Sequence, residues 1–161
     1  LLNAQIQDEI AWHGPQCCLN HLDISGVDDM SELFHKSPFN GDISRWDVAH
    51  VMSMESMFEA GSFNGDISGW DVSNVKTMHS MFRESRFNGD LSRWNTSRVE
   101  NMGYMFANSS FVGDISQWNV GNARDMYNMF ESAAFSGDLS QWDMGRVEYV
   151  QRSFIITTPC S

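Results

Sequence analysis

Basic side chains, cysteine and proline are all scarce in this chain. Ten Lys and Arg stand against twenty-one Asp and Glu in 161 residues, a formal net charge of −11. A polyanion does not usually seek out another, so nucleic acid and anionic membrane surfaces are poor partners on electrostatic grounds, and no nucleic-acid partner is expected. No apolar run approaches the ~18 residues of a membrane-spanning helix, so no membrane span is expected, and no targeting segment is visible. The three cysteines, Cys17, Cys18 and Cys160, are too few and of the wrong parity for a disulfide framework. What remains, 42% hydrophobic and 19% charged, is the balance of one folded domain with a real core.

Against three prolines stand eleven Phe, eleven Met and six Trp, a bias that points to internal repeats. Phe39, Phe63, Phe87, Phe111 and Phe135 recur at intervals of 24 residues without insertion or deletion. Gly41, Asp42, Ser44 and Trp46 head four more columns with the same step, and the unit reads F-N-G-D-[IL]-S-x-W-[DN]-V-x-x-V-x-x-M-x-x-M-F. A partial unit from Leu22 to Phe34 precedes the five, and Val147, Val150 and Phe154 continue the phase. A strict period of this length means stacked supersecondary units, none able to bury its apolar face alone.

Within the unit the rhythm changes. Trp46, Asp47 and Val48 alternate as a strand does, whereas Val51, Met54, Met57 and Phe58 are spaced i, i+3, i+6, i+7, one face of a helix. The pattern therefore predicts an α/β solenoid, a stack of about six 24-residue coils with one parallel sheet and short helices. The glycines of the Gly41 column are expected where a left-handed backbone or a close approach leaves no room for a side chain. Leu2, Ile6 and Ile10 recur at i, i+4, i+8 before Gly14 and Pro15, a capping helix with its stop. The divisions are residues 1–21 for that helix and its linker, 22–154 for the repeats and 155–161 for a tail. At about 4.8 Å per coil, Cys17 and Cys18 lie beyond disulfide reach of Cys160 within one stack.

The columns that could carry chemistry each have a simpler reading. The Trp column is in phase with Val48, and Leu22 fills its first slot, so it is expected to be core and not a stacking platform. Met rows headed by Met54 and Met57 give way to Val150 and Leu33 at the ends, which favours packing over soft-metal ligation. Asp42 and its equivalents could line up a calcium strip, but a turn in which each Asp accepts a backbone N–H is the preferred role. In the neighbouring column Asp47, Asp71, Asn95, Asn119 and Asp143 interchange Asp with Asn, so that slot needs an oxygen and not a charge. The five His, at 13, 21, 35, 50 and 79, fall in different slots, no Gly-rich phosphate loop occurs, and no enzyme, cofactor or metal site is expected.

The runs FNGDISRWDVAHVMSMESMF at 39–58, FNGDISGWDVSNVKTMHSMF at 63–82 and LNHLDISGVDDMSELF at 19–34 resemble the repeat of the BspA-like leucine-rich-repeat surface proteins. That resemblance implies a leucine-rich-repeat-like stack, placed extracellularly, at the cell surface or in another non-cytosolic compartment. It also implies a non-enzymatic role in adhesion or protein contact.

A protein partner is therefore expected, bound through the variable slots of the strand row: Arg45, Asp47, Asp71, Arg93, Asn95, Gln117, Asn119, Gln141 and Asp143. The variable helix slots, which include Glu55, His79, Gly103, Tyr127 and Arg83, rank below it. The alternative is a structural or scaffolding subunit of a larger complex, docked through its sheet face or end to end through an open C-terminal coil around Phe154 and Ile156.

Overall fold

The computed structural model describes residues 1–151. One helix, α1, runs Leu2–His13; Gly14 ends it at φ 86° and returns its N–H to the Ile10 carbonyl. Leu2 and Ile6 are buried in the same apolar cluster as Leu19, Ile24 and the repeats beyond them.

After α1 the chain departs from the expected α/β solenoid. Among the described residues α1 is the one α-helix, and no strand forms. Pairing between repeats is reduced to isolated parallel bridges, with Asp29, Ser53, Thr77, Asn101, Asp125 and Tyr149 linked each to the next and Cys18 to Asp42. No parallel sheet and no short helices are present there.

The reason lies in how backbone donors are shared. In the stretch 54–60 the N–H groups of Met54, Ser56, Phe58 and Ala60 donate to the carbonyls of Thr77, His79, Met81 and Arg83, one repeat on, at 2.8–3.0 Å. The N–H groups of Met57, Glu59 and Gly61 fold back to Met54, Ser56 and Phe58, each at 3.2 Å. Alternate donors are thus committed to the neighbouring repeat, whereas an α-helix needs every one of them for its own i−4 carbonyl. Ser56 and Ala60 take φ of 54°, and the same two slots are left-handed in every repeat from Glu32 and Lys36 to Asn128 and Ser132. The result is a run of overlapping turns that still buries Val51, Met54, Met57 and Phe58 completely. An apolar spacing that matches a helix face constrains which side chains go inward, not which hydrogen bonds the backbone makes.

The strand-like half breaks up for a related reason. Trp46 N–H closes a turn on Ile43, and Val51 N–H closes another on Val48. Asp42 Oδ1 accepts from Ser44 N–H at 2.9 Å, and Asp47 Oδ1 from Ala49 N–H at 3.1 Å. Turns this closely spaced leave no room for a ladder, yet the alternation sorts side chains as expected: Trp46 and Val48 are buried and Asp47 is exposed.

Stacking is carried by side chains. Phe34, Phe58, Phe82, Phe106 and Phe130 form a column with centroids 5.6–5.7 Å apart. Trp46 stacks on Trp70, and Trp94 on Trp118 and Trp118 on Trp142, at 6.4–6.5 Å. Each indole N–H of the five donates to a carbonyl of the preceding repeat, Trp94 to Ile67 at 3.0 Å. The polar end of every buried Trp is thereby satisfied, as burial demands. Thr96, where the unit has Val, is fully buried and spends its hydroxyl on the Asn119 carbonyl at 3.0 Å. Gly41 is required by close approach and not by a left-handed backbone: a Cβ there would lie 1.8 Å from the Cys17 carbonyl oxygen.

Candidate functional site

Turn chemistry decides what the surface presents. In the first acidic column Asp42, Asp66, Asp90, Asp114 and Asp138 each accept the N–H of the residue two positions on, at 2.9–3.0 Å. Hydrogen bonds from Ser68 hold the Asp66 carboxyl below its ordinary range; repulsion from Asp42 and Asp90 acts the other way and is weaker. The same serine contacts depress Asp42, Asp90, Asp114 and Asp138. Five carboxylates in a column are tolerated because each stabilises its own turn.

The second column behaves likewise. Asp47, Asp71, Asn95, Asn119 and Asp143 all use Oδ1 to hold the N–H two residues on, at 2.9–3.1 Å. An amide oxygen serves as well as a carboxylate, which is why Asp and Asn interchange. A third column escaped the sequence analysis. Asp29, Ser53, Thr77, Asn101 and Asp125 also accept the N–H two residues on, from 2.8 to 3.4 Å, at the same residues that form the bridges. Its signal was the run Asp, Ser, Thr, Asn, Asp in one slot: four residue types sharing only a short side-chain acceptor.

Every member of the expected binding row within the described residues is exposed: Arg45, Asp47, Asp71, Arg93, Asn95, Gln117, Asn119, Gln141 and Asp143. The two slots flank the buried Trp, Arg45 in the turn that Trp46 closes on Ile43 and Asp47 at the entry to the turn that Val51 closes on Val48. At its start, where the smaller Leu22 takes the place of a Trp, a groove of about 230 Å³ opens, lined by Asn20, Asp23, Arg45, Trp46, Asp47 and His50 among others. Phe154, Ile156 and Cys160 lie outside the described residues. Cys17 is buried, which pushes its thiol up, and Cys18 is exposed; both are free.

A second feature joins three residues of the less favoured slots, His79, Arg83 and Tyr127, to Tyr104, which the sequence did not single out. The Arg83 guanidinium carbon lies 4.7 Å from the Tyr104 ring centroid. His79 meets the same ring edge-on at 5.7 Å, and Tyr104 meets Tyr127 edge-on at 5.7 Å. All four are half-buried. Sequence showed the slots of His79, Arg83 and Tyr127 as variable but missed Tyr104 and the meeting of the four across three repeats.

Among the described residues no helix is long and apolar enough to cross a membrane. No curated protein and no solved structure matches the chain. A family model does match, over residues 11–110 and again over 84–159, two overlapping spans that take in every repeat described above. The chain belongs to the family described as Mycoplasma protein of unknown function, DUF285.

Proposed function

We propose that the protein is a non-enzymatic protein-binding or adhesion module of the BspA-like kind, acting outside the cytosol. The observation that carries this reading is the division of labour within each repeat. One set of side chains is fixed by packing: Phe, Met and Trp of the five full repeats are buried almost throughout. Another is fixed by turns, which need only a side-chain oxygen. Between them stands the exposed slot Arg45, Gly69, Arg93, Gln117, Gln141, constrained by neither and varying among Arg, Gly and Gln. A rigid frame that repeats while one exposed slot varies is the design of a recognition surface.

Photo-crosslinking tests it. A crosslinking residue at Gln117 should capture a defined protein partner, whereas the same residue at Lys76, in a different exposed slot, should not. The double variant Arg45→Glu, Arg93→Glu should abolish capture at an unchanged melting temperature. Equal capture from both positions, or capture indifferent to the double variant, would remove the row from consideration.

A further inference from the structure

The cluster of His79, Arg83, Tyr104 and Tyr127 lies outside the row just described and carries an inference of its own. Arg83 Nε and His79 Nδ1 are both shielded from solvent, and neither has a hydrogen-bond partner. Such groups are rare in native structures and costly, because each has given up water for nothing. Arg83 also has no ion pair: among the described residues the only ones join His13 and His21 to Glu9. In a chain with about twice as many acids as bases, a half-buried guanidinium with no carboxylate of the described residues within 4.0 Å is a local inversion of the overall charge.

The surroundings suit a ligand that brings an acceptor and an apolar surface together. Tyr104 supports the guanidinium on its ring face and receives His79 at its edge. Gly103 leaves the cluster uncrowded: a Cβ there would stand 3.1 Å from His79 Nδ1 and 3.2 Å from the side-chain oxygens of Asn101 and Asp125, close enough that they would have to give way slightly. In the preceding repeat the slots of His79 and Arg83 hold Glu55 and Glu59, so the cation pair is confined to one level of the stack, flanked by the tyrosines of the next two.

We propose that this cluster is a docking site for an acidic peptide segment of a partner protein. A carboxylate would accept from the Arg83 guanidinium while a neighbouring side chain packs on Tyr104 and Tyr127. Charge complementarity selects the occupant. A carboxylate gives Arg83 the counter-charge that it lacks among the described residues and forms a charge-assisted bond to the guanidinium, and Tyr with Arg is the composition of binding hot spots. Because the attraction is local and the remaining field is repulsive, salt should strengthen the docking or leave it unchanged, as it screens the distant acids first.

The test is a titration of the isotope-labelled chain with a glutamate decapeptide, following the Arg Nε–H signals by NMR. Glutamine, lysine and phosphoserine decapeptides are run beside it. The glutamate peptide should shift the Arg83 signal saturably and the glutamine and lysine peptides should not. Arg83→Gln should weaken binding, read by peptide fluorescence anisotropy, by about tenfold or more at an unchanged melting temperature, and Lys76→Gln should have no effect. Tyr104→Phe, which keeps the ring, should retain binding. No saturable shift with the glutamate peptide, a shift untouched by Arg83→Gln, or a response to the phosphoserine peptide alone would overturn the proposal. The variant pair at Arg45 and Arg93 leaves this docking intact, so its outcome is separate from that of the exposed row.

Discussion

Replacing Trp94 by Ala removes a side chain that is 3% exposed, stacks on Trp118 at 6.4 Å and donates its indole N–H to the Ile67 carbonyl at 3.0 Å. A buried Trp covers about 150–250 Å², which at about 25 cal/mol per Å² is roughly 4–6 kcal/mol. Large-to-small core substitutions of this type cost about 3–5 kcal/mol, since the site relaxes in part. Loss of the partner of the Ile67 carbonyl adds about 1 kcal/mol. The expected loss is therefore about 4–6 kcal/mol in urea or thermal unfolding. Trp94→Leu keeps much of the apolar contact, as Leu22 does in the first repeat, and should cost about half as much. Gln117→Ala, on the exposed slot, should stay within about 0.5 kcal/mol. Damage from Trp94→Ala should spread to both neighbouring repeats, because stability in a stack is shared between nearest neighbours. If melts ranked Trp94→Ala with Gln117→Ala, the inward assignment of the whole column would be wrong.

Ala60 sits at φ 54°, a conformation that costs a non-glycine residue about 1 kcal/mol. Ala60→Gly should therefore raise the urea midpoint, against the usual loss for this exchange, and a lowered midpoint would contradict the left-handed assignment. Thr96→Val restores the residue of most other repeats at the expense of one hydrogen bond to Asn119, and should change stability by no more than about 1 kcal/mol; a loss above about 2 kcal/mol would mean that this hydroxyl is needed. Asp66→Asn keeps the acceptor for Ser68 and should melt close to the parent, whereas Asp66→Ala should melt lower. The acid response has a fixed sign. Carboxylates held below their ordinary range, such as Asp42, Asp66 and Asp71, contribute stability above the unfolded value of about 3.9 and lose it as pH falls through the depressed folded value. The melting temperature should thus be flat from neutral pH to about 5 and fall below about 4; a fall beginning near pH 6 would point to other groups.

Side-chain fate was legible in the sequence because it depends on repetition: a slot filled by Trp five times and by Leu once has to be apolar space. Backbone form was not. The spacing of Val51, Met54, Met57 and Phe58 fits a helix, and only the partner of each N–H reveals overlapping turns. That partner lies one repeat away at Thr77, His79, Met81 and Arg83, and local pattern is blind to it. The bridging column of Ser53, Thr77 and Asn101 was obscured by its chemical variety. The cluster around Arg83 was hidden because its members occupy different slots on different levels, and meet only once the stack is built.

The central claim is that repeats are held together by alternate backbone donors reaching the next repeat, in place of helices or a sheet. Scalar couplings across hydrogen bonds, measured by NMR, read the acceptor of each N–H directly. The Phe58 nitrogen should couple to the Met81 carbonyl carbon, and the Met57 nitrogen to that of Met54. A coupling from the Phe58 nitrogen to the Met54 carbonyl carbon, the bond of an α-helix, would contradict the account.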